Sequence, residues 1–399
     1  METYSQIQTF GPVDETALEQ LQRCAEIAPR AVLCADHHVG YSQPIGGAVG
    51  YEGFISPSGV GYDIGCGNKA VKTNLKATHV DVAKVMDEIV RQIGFGMGRP
   101  NPEPVDHPVL DKIFRAEFRP QRKLVQIAAS QLGTVGAGNH YVDLFEDEDG
   151  MLWIGVHFGS RGFGHKTASG FLAMAAGGRF DDRAPGGEMH SPPVLFHEKS
   201  ALGEDYLQAM ELAGAYAYAG RDVVCDKVLE ILRAKPVEQV HNHHNYAWRE
   251  EHFGQELWVV RKGCTPAFPG QKGFVGANME GVSVILEGVD SVASRAALYS
   301  TVHGAGRVMS RTQAAGKSRW VKGRKEQISP GRVDFGTVQS RMRGQGIELR
   351  GGAADEAPEV YKDLSEVLEH HAGTIRILHR LRPMGVAMAG DDVEDPYKD

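Results

Sequence analysis

The chain has 399 residues, 42% of them hydrophobic and 24% charged, with a formal net charge of −8. That balance excludes a disordered or collagen-like chain, and bulk charge does not draw an acidic protein to a polyanion. No apolar run reaches the ~20 residues of a membrane helix, so no membrane partner is expected.

Taken in chain order, the apolar run Ala31–Ala35 predicts a strand and Lys69–Asn74 a second. Residues 80–93 place Val82, Met86, Ile89 and Ile93 on one helical face. The Gly- and Pro-rich segment 94–120 predicts a surface insertion, as does 178–199, with a strand at Leu152–His157 between them. Residues 203–233 predict a helix, and Leu257–Arg261 and Val282–Leu286 two more strands. A last helix is expected over 363–381, ending near Leu381 with Pro383 as the breaker. Without repeats or low-complexity linkers, this mixture predicts one large α+β domain with helices packed on sheet layers.

Glycine, at 49 residues, clusters at 46–50, 59–67, 133–138, 159–164 and 304–306, which predicts tight turns. Five cysteines, Cys24, Cys34, Cys66, Cys225 and Cys264, have no paired spacing. With no signal-peptide pattern, they predict reduced thiols and a cytoplasmic location.

Five polar segments beside predicted strands carry imidazole, thiolate or carboxylate groups: Asp36-His37-His38, Asp63 with Cys66, Asn139-His140, His157, and His241 to Asn245. Strand-end loops commonly carry sites, and imidazole and thiolate are usual ligands of divalent transition metals. The glycines flanking Cys66 are expected to clear space around its sulfur. Each residue also has an ordinary reading. A lone buried cysteine is a small hydrophobe, Asp63 could cap a turn, and no pair has zinc-finger or zincin spacing.

The run His303-Gly-Ala-Gly-Arg307 joins a potential nucleophile to backbone that can approach a phosphate. Arg307 and Arg311, four residues apart, would share a helix face and could fork onto phosphate oxygens. The glycine runs 133–138 and 159–164 lack the Lys-Ser/Thr of a Walker loop. Eight basic residues (Arg307, Arg311, Lys317, Arg319, Lys322, Arg324, Lys325 and Arg332) stand against Glu326 alone between 307 and 332. They read either as a phosphate-backbone footprint or as a solvated basic loop.

Read together, GVGYDIGCG (59–67), GTVGAGNHYVDLF (133–145), VHFGSRGFGH (156–165), HHNYAWREEHFG (243–254), VRKG (260–263) and HGAGRVMSR (303–311) resemble the signature segments of the RtcB family of RNA ligases. They occur in the family's order, from about Asp36 to Gly390. The resemblance implies an RtcB-like catalytic domain over 1–399 with a central metal and nucleotide cleft, and an acidic tail over 391–399. It implies joining of RNA 3′-phosphate or 2′,3′-cyclic phosphate ends to 5′-hydroxyl ends, in RNA repair or tRNA splicing, with GTP and two Mn²⁺ ions. It also leaves room for an activating protein partner.

Residue by residue, the resemblance makes His303 the carrier of GMP and Cys66 a thiolate shared by two metal ions. Asp63 and His244 would complete one ion's ligands, and His140 and His157 the other's. The nucleotide contacts it implies are Asn139, His140, Asp143, His244, Asn245, Gly276, Ala277, Asn278, Met279, Ser283, His303, Gly304, Ala305 and Gly306. Tyr361 and Lys362 match the family's late Tyr-Lys pair. Three positions depart from the family: Ala389 replaces a lysine expected at the guanine, Asp143 stands where a glutamate is usual, and Gly276-Ala277-Asn278-Met279 replaces Pro-Gly-Ser-Met. Those departures keep open an alternative, a metal-dependent phosphodiesterase or phosphatase acting on RNA ends without nucleotidylation.

Overall fold

The computed structural model describes residues 6–185, 189–321 and 324–391. Of the expected acidic tail, all but Asp391 lies outside the described residues, as do residues 186–188 of the second insertion and Lys322 of the basic stretch. Helices and strands alternate irregularly around two larger sheets, an α+β architecture.

Thirteen strands build these sheets: β1 (Gln6–Thr9), β2 (Arg30–His38), β3 (Ile45–Tyr51), β4 (Gly67–Lys76), β5 (Tyr141–Glu146), β6 (Met151–Phe158), β7 (Pro236–His243), β8 (Asn245–His252), β9 (Gln255–Lys262), β10 (Lys272–Val275), β11 (Ser283–Gly288), β12 (Glu348–Gly352) and β13 (Ile375–Gly390). The first sheet runs β1-β2-β3-β9-β8. The second runs β10-β11-β13-β5-β6-β4-β7, with β12 parallel to β13. Central strands such as β2 and β6 are buried almost throughout, which is why they read as continuous apolar runs. Between β7 and β8 only His244 intervenes, so the chain crosses from the second sheet to the first at that residue.

The helix Ala201–Leu232 bridges the cores of both sheets. Ser200 caps its first turn by accepting the Gly203 N–H, and Arg233 ends it in the left-handed conformation. Its first half packs Tyr206, Met210 and Tyr216 against Leu33, Tyr51 and Val260. Its second half packs Val224, Val228 and Leu229 against Val142, Ile154 and Val156. A helix of 32 residues is ~48 Å long at ~1.5 Å per residue, enough to reach under both sheets. Among the described residues no helix is long and apolar enough to cross a membrane.

Three sequence expectations are corrected. The helix expected over 363–381 stops early: Asp363 caps Leu364–Glu369, the chain turns, and β13 begins at Ile375. Pairing of Ile375–Leu381 with β11 outweighs the local helical pattern there. Pro383 lies inside β13, where the register shifts against β5 and a missing donor costs little. Segment 94–120 is no surface insertion either, because it folds into Pro108–Phe114 and Arg119–Arg122 and buries Val109, Ile113 and Phe118 in the core. Of 178–199, Phe180 and Phe196 join the same core. The basic stretch forms an antiparallel pair, Gly316–Val321 with Arg324–Pro330.

Candidate metal and nucleotide site

The polar segments converge at the junction of the sheets because each sits at a strand end. Cys66 precedes β4, His140 precedes β5, His157 nears the end of β6, and His244 joins β7 to β8. The ladder sets Gly67 opposite both Phe158 and His243, so Cys66, His157 and His244 are brought together by register. Cys66 Sγ lies 3.3 Å from His157 Nε2 and 3.7 Å from His140 Nε2. His140 Nε2 is 3.2 Å from Asp63 Oδ2.

Two triads that could hold a metal ion share Cys66: Asp63, Cys66 and His140 on one side, and Cys66, His157 and His244 on the other, each with its donor atoms within 4.8 Å of one another. This grouping corrects the expected pairing of Asp63 with His244 and of His140 with His157. Order along the chain carries no information on which imidazole faces which side of the sulfur, and the strand register decides it. The flanking glycines also act differently from expectation. A Cβ on Gly67 would lie 2.1 Å from the Asn242 carbonyl oxygen, so that glycine admits the neighbouring strand rather than clearing the sulfur.

Burial holds His157 and His244 well below the ordinary imidazole range, so both rings are neutral, the form that binds a metal. Burial would raise Asp63, but the hydrogen bond and charge of His140 bring it below the usual carboxylate value. Burial and the neighbouring Asp63 push the Cys66 thiol well up. His244 Nδ1 is buried without a hydrogen-bond partner. A set of one sulfur, three imidazoles and a carboxylate with an unpaired ring nitrogen fits divalent cations, whose charge favours the thiolate.

His303 follows the short strand Ser300–Val302 and touches the cluster through His244, ring centroids 4.7 Å apart. Its Nδ1 lies 2.7 Å from Asp36 Oδ2, which also accepts the His303 N–H at 2.9 Å and the Gly304 N–H at 3.3 Å. Burial alone would raise Asp36, yet the His303 charge and hydrogen bonds hold its carboxyl below the usual range. Gly306 lets this turn run against β2: its φ is +77°, and a Cβ there would lie 2.0 Å from the Asp36 carbonyl oxygen. The neighbouring His38 is pushed down to about 4 by burial.

A cavity of ≈ 630 Å³ opens over the cluster. It is lined by all five expected metal ligands and by every expected nucleotide contact except Ser283. Ser283 stands behind the wall, where its Oγ accepts the Ala277 N–H at 3.0 Å. Asn278 Oδ1 is spent on its own turn, accepting the Glu280 and Gly281 N–H groups, and Asn245 Oδ1 accepts the Gly263 N–H. Asp143 is buried, and desolvation pushes its carboxyl well above the usual range. Ala389 does not line the cavity, whereas Met388 does.

Arg307 and Arg311 do not share a helix face, because the helix begins only at Arg311. They converge instead on one acidic pair: Arg307 Nη1 lies 3.3 Å from Glu356 Oε2, and Arg311 bonds both Asp355 and Glu356. Tyr361 also bonds Glu356, while Lys362 Nζ donates to the carbonyls of Ala35 and His37 and so pins the end of β2. The role of Asp36 as partner of His303, the Glu356 anchor and the buried Arg221 escaped the sequence reading. Asp36 stood among the polar segments without this role, and Arg221 showed only as a charge closing the uncharged helical run from Leu212 to Gly220.

Comparison with known proteins adds a family pattern. The model of the family described as tRNA-splicing ligase RtcB matches residues 17–122 and 115–389. The RNA-splicing ligase RtcB of Escherichia coli is 30% identical, over 93% of this chain and 93% of its own length. The tRNA-splicing ligases RtcB of Archaeoglobus fulgidus and Thermococcus kodakarensis are each 30% identical, covering 94% and 90% of this chain and 91% and 87% of their own lengths.

Proposed function

The chain belongs to the RtcB family of RNA-splicing ligases, and from that membership we propose that it joins RNA 3′-phosphate or 2′,3′-cyclic phosphate ends to 5′-hydroxyl ends through a GMP adduct on His303. The observation that carries this reading is the Asp36–His303 pair standing beside the two ligand triads. An ionised carboxylate only accepts, so Nδ1 of His303 carries a proton, and in the neutral ring Nε2 is the nitrogen that keeps its lone pair. That is the tautomer of a nucleophile, oriented by a carboxylate. Attack of Nε2 on the α-phosphorus of GTP forms the N–P bond and releases pyrophosphate. The GMP then passes to the RNA 3′-phosphate, which a 2′,3′-cyclic end yields once water has opened its P–O2′ bond, and the 5′-hydroxyl attacks that phosphorus and releases GMP.

Asp63, Cys66 and His140 would hold one divalent ion, and Cys66, His157 and His244 a second. Such ions, taken as manganese on the family resemblance, neutralise phosphate charge and orient attacking and leaving groups. The chain's own residues prepare that setting: buried neutral imidazoles, a glycine-rich turn at 303–306, and a cavity wall at 276–279 in which Gly276 and Ala277 leave room.

A second reading, hydrolysis of RNA phosphoesters without nucleotidylation, draws on Ala389, which offers no polar atom to a guanine. One experiment separates them. Purified protein is incubated with Mn²⁺ and α-labelled GTP, with ATP in parallel, beside a His303→Ala variant. Label retained by the wild type alone supports the ligase mechanism and reports the base preferred. Absence of label with either nucleotide, in protein that still binds Mn²⁺, rejects it in favour of hydrolysis.

A further inference from the structure

We infer that Arg221 is a positioning residue that presets the thiolate–imidazole triad, an assignment that rests on the metal reading above. Arg221 lies on the bridging helix Ala201–Leu232 and is wholly buried. Its guanidinium donates from Nη1 to the Gly65 carbonyl at 2.9 Å and to the Phe158 carbonyl at 2.5 Å. Nη2 contacts His243 Nδ1 at 2.9 Å, and Nε donates to His241 Nε2 at 2.9 Å. Three of these four anchors are chain neighbours of one triad: Gly65 precedes Cys66, Phe158 follows His157, and His243 precedes His244.

A single rigid fork thus ties together the three strand ends that carry the ligands. Guanidinium is suited to this, because it is planar and offers five donors and no acceptor. The same property dictates the tautomer of His241, whose Nε2 faces an N–H that can only donate and must therefore accept. His243 Nδ1 stands 2.9 Å from both Arg221 Nη2 and the Gly65 carbonyl oxygen, so the ring, the guanidinium and the Cys66 turn meet at one point. Burial, reinforced by Arg221, holds both rings well below the ordinary imidazole range. Tyr218 covers the guanidinium, its ring centroid 5.2 Å from Cζ. Among the described residues no carboxylate is hydrogen-bonded to Arg221, and its bonds run to the backbone and rings of the ligand-bearing segments.

The arrangement separates Arg221 from an ordinary core residue by what its loss should do. Lysine keeps the charge but gathers its three donors on one nitrogen, without the planar fork that reaches three segments at once. The test uses full-length Arg221→Lys and wild-type protein, with Co²⁺ alone as the probe. The expected result is a folded variant, by circular dichroism without metal, that binds Co²⁺ at least ~10-fold more weakly, as loss of an outer-shell partner does. Its thiolate-to-cobalt absorption and visible d–d bands should also shift, which a loss of global stability alone would not produce. Wild-type affinity and spectrum in the folded variant would overturn the inference while leaving the metal reading intact. Wild-type protein that takes up neither Co²⁺ nor Mn²⁺ would overturn both. Should Arg221→Lys fail to fold, His243→Gln leaves Arg221 in place and loosens only the anchor beside His244. That variant, once folded, must show a weaker and spectrally altered Co²⁺ site, and an unaltered one overturns the inference.

Discussion

Asp36 and His303 stand 267 positions apart in the chain and meet at 2.7 Å, Oδ2 to Nδ1. The contact joins the end of β2 to the turn after Ser300–Val302, and it sets which nitrogen of His303 is free to react.

Replacing that carboxylate should therefore disable the histidine without unfolding the protein. Asp36→Asn keeps the shape but can present either an acceptor or a donor to Nδ1, so the reactive tautomer is no longer enforced. We expect transfer of label from α-labelled GTP to His303 to slow by on the order of 10²–10⁴-fold, as comparable dyads do when the carboxylate is neutralised. Equal labelling rates in variant and wild type would reduce Asp36 to an anchor for the turn.

Gly159 offers a steric test of the Asp63 side of the cluster. A Cβ there would fall 2.2 Å from Asp63 Oδ1, whereas one on the helical Gly344 meets nothing within 4 Å. Gly159→Ala should displace the carboxylate and weaken Mn²⁺ uptake by ~10-fold or more. Gly344→Ala should leave Mn²⁺ binding unchanged and hold or slightly raise Tm, since alanine favours a helix by up to ~1 kcal/mol. Calorimetric titration of both variants with Mn²⁺ decides the matter, and comparable affinities would detach Asp63 from the metal.

The first sheet carries its own pH dependence. Glu250 on β8 grips the wholly buried Arg261 of β9 at 2.7 and 2.9 Å and also contacts His252 at 2.8 Å. Burial would raise Glu250, but the Arg261 charge and these bonds leave it below the usual glutamate range. A depressed carboxyl stabilises the fold above its unfolded pKa, about 4.3, and that contribution drains away as pH falls through the lower folded value. Glu250→Gln should cost roughly 3–5 kcal/mol at pH 7, the scale of breaking a buried pair. The gap to wild type should narrow below about pH 4, read from urea midpoints across pH. A gap that stays constant down to pH 2 would mean the charge contributes nothing.

Burial should also protect two thiols from chemistry. Cys24 and Cys225 are both pushed up to about 12. At pH 8 on the order of one thiol in 10⁴ would then be ionised, and the thiolate is the reactive form. Native protein should leave both unmodified by iodoacetamide over hours, while protein in denaturant loses them within minutes, as peptide mass spectrometry can follow. Rapid native labelling of either would show that the core around the bridging helix opens readily.

How far the fold was legible follows from how local each signal was. Strands β2, β4, β6, β9 and β11 each fall on a run visible in the sequence, and in β2, β6 and β11 near-complete burial keeps that run mostly apolar. The helices Val82–Gln92 and Ala201–Leu232 match their expected spans within a few residues. The 363–381 segment misled because its apolar spacing suits either state, and only pairing with β11 selects the strand. Ser283 misled for another reason, since its place in a motif does not tell whether the side chain faces the cavity or holds the wall behind it.

By itself the sequence determined the family, the α+β class and the residue types gathered at the site, because these reside in local pattern and motif order. The tertiary structure alone decided which imidazole shares which side of Cys66, which carboxylate holds His303, and that one guanidinium from a helix secures three strand ends. Those are facts of register and of contacts between segments far apart in the chain. Side-chain partners at that range are chosen by sheet pairing and burial, and neither leaves a mark in the spacing of residues.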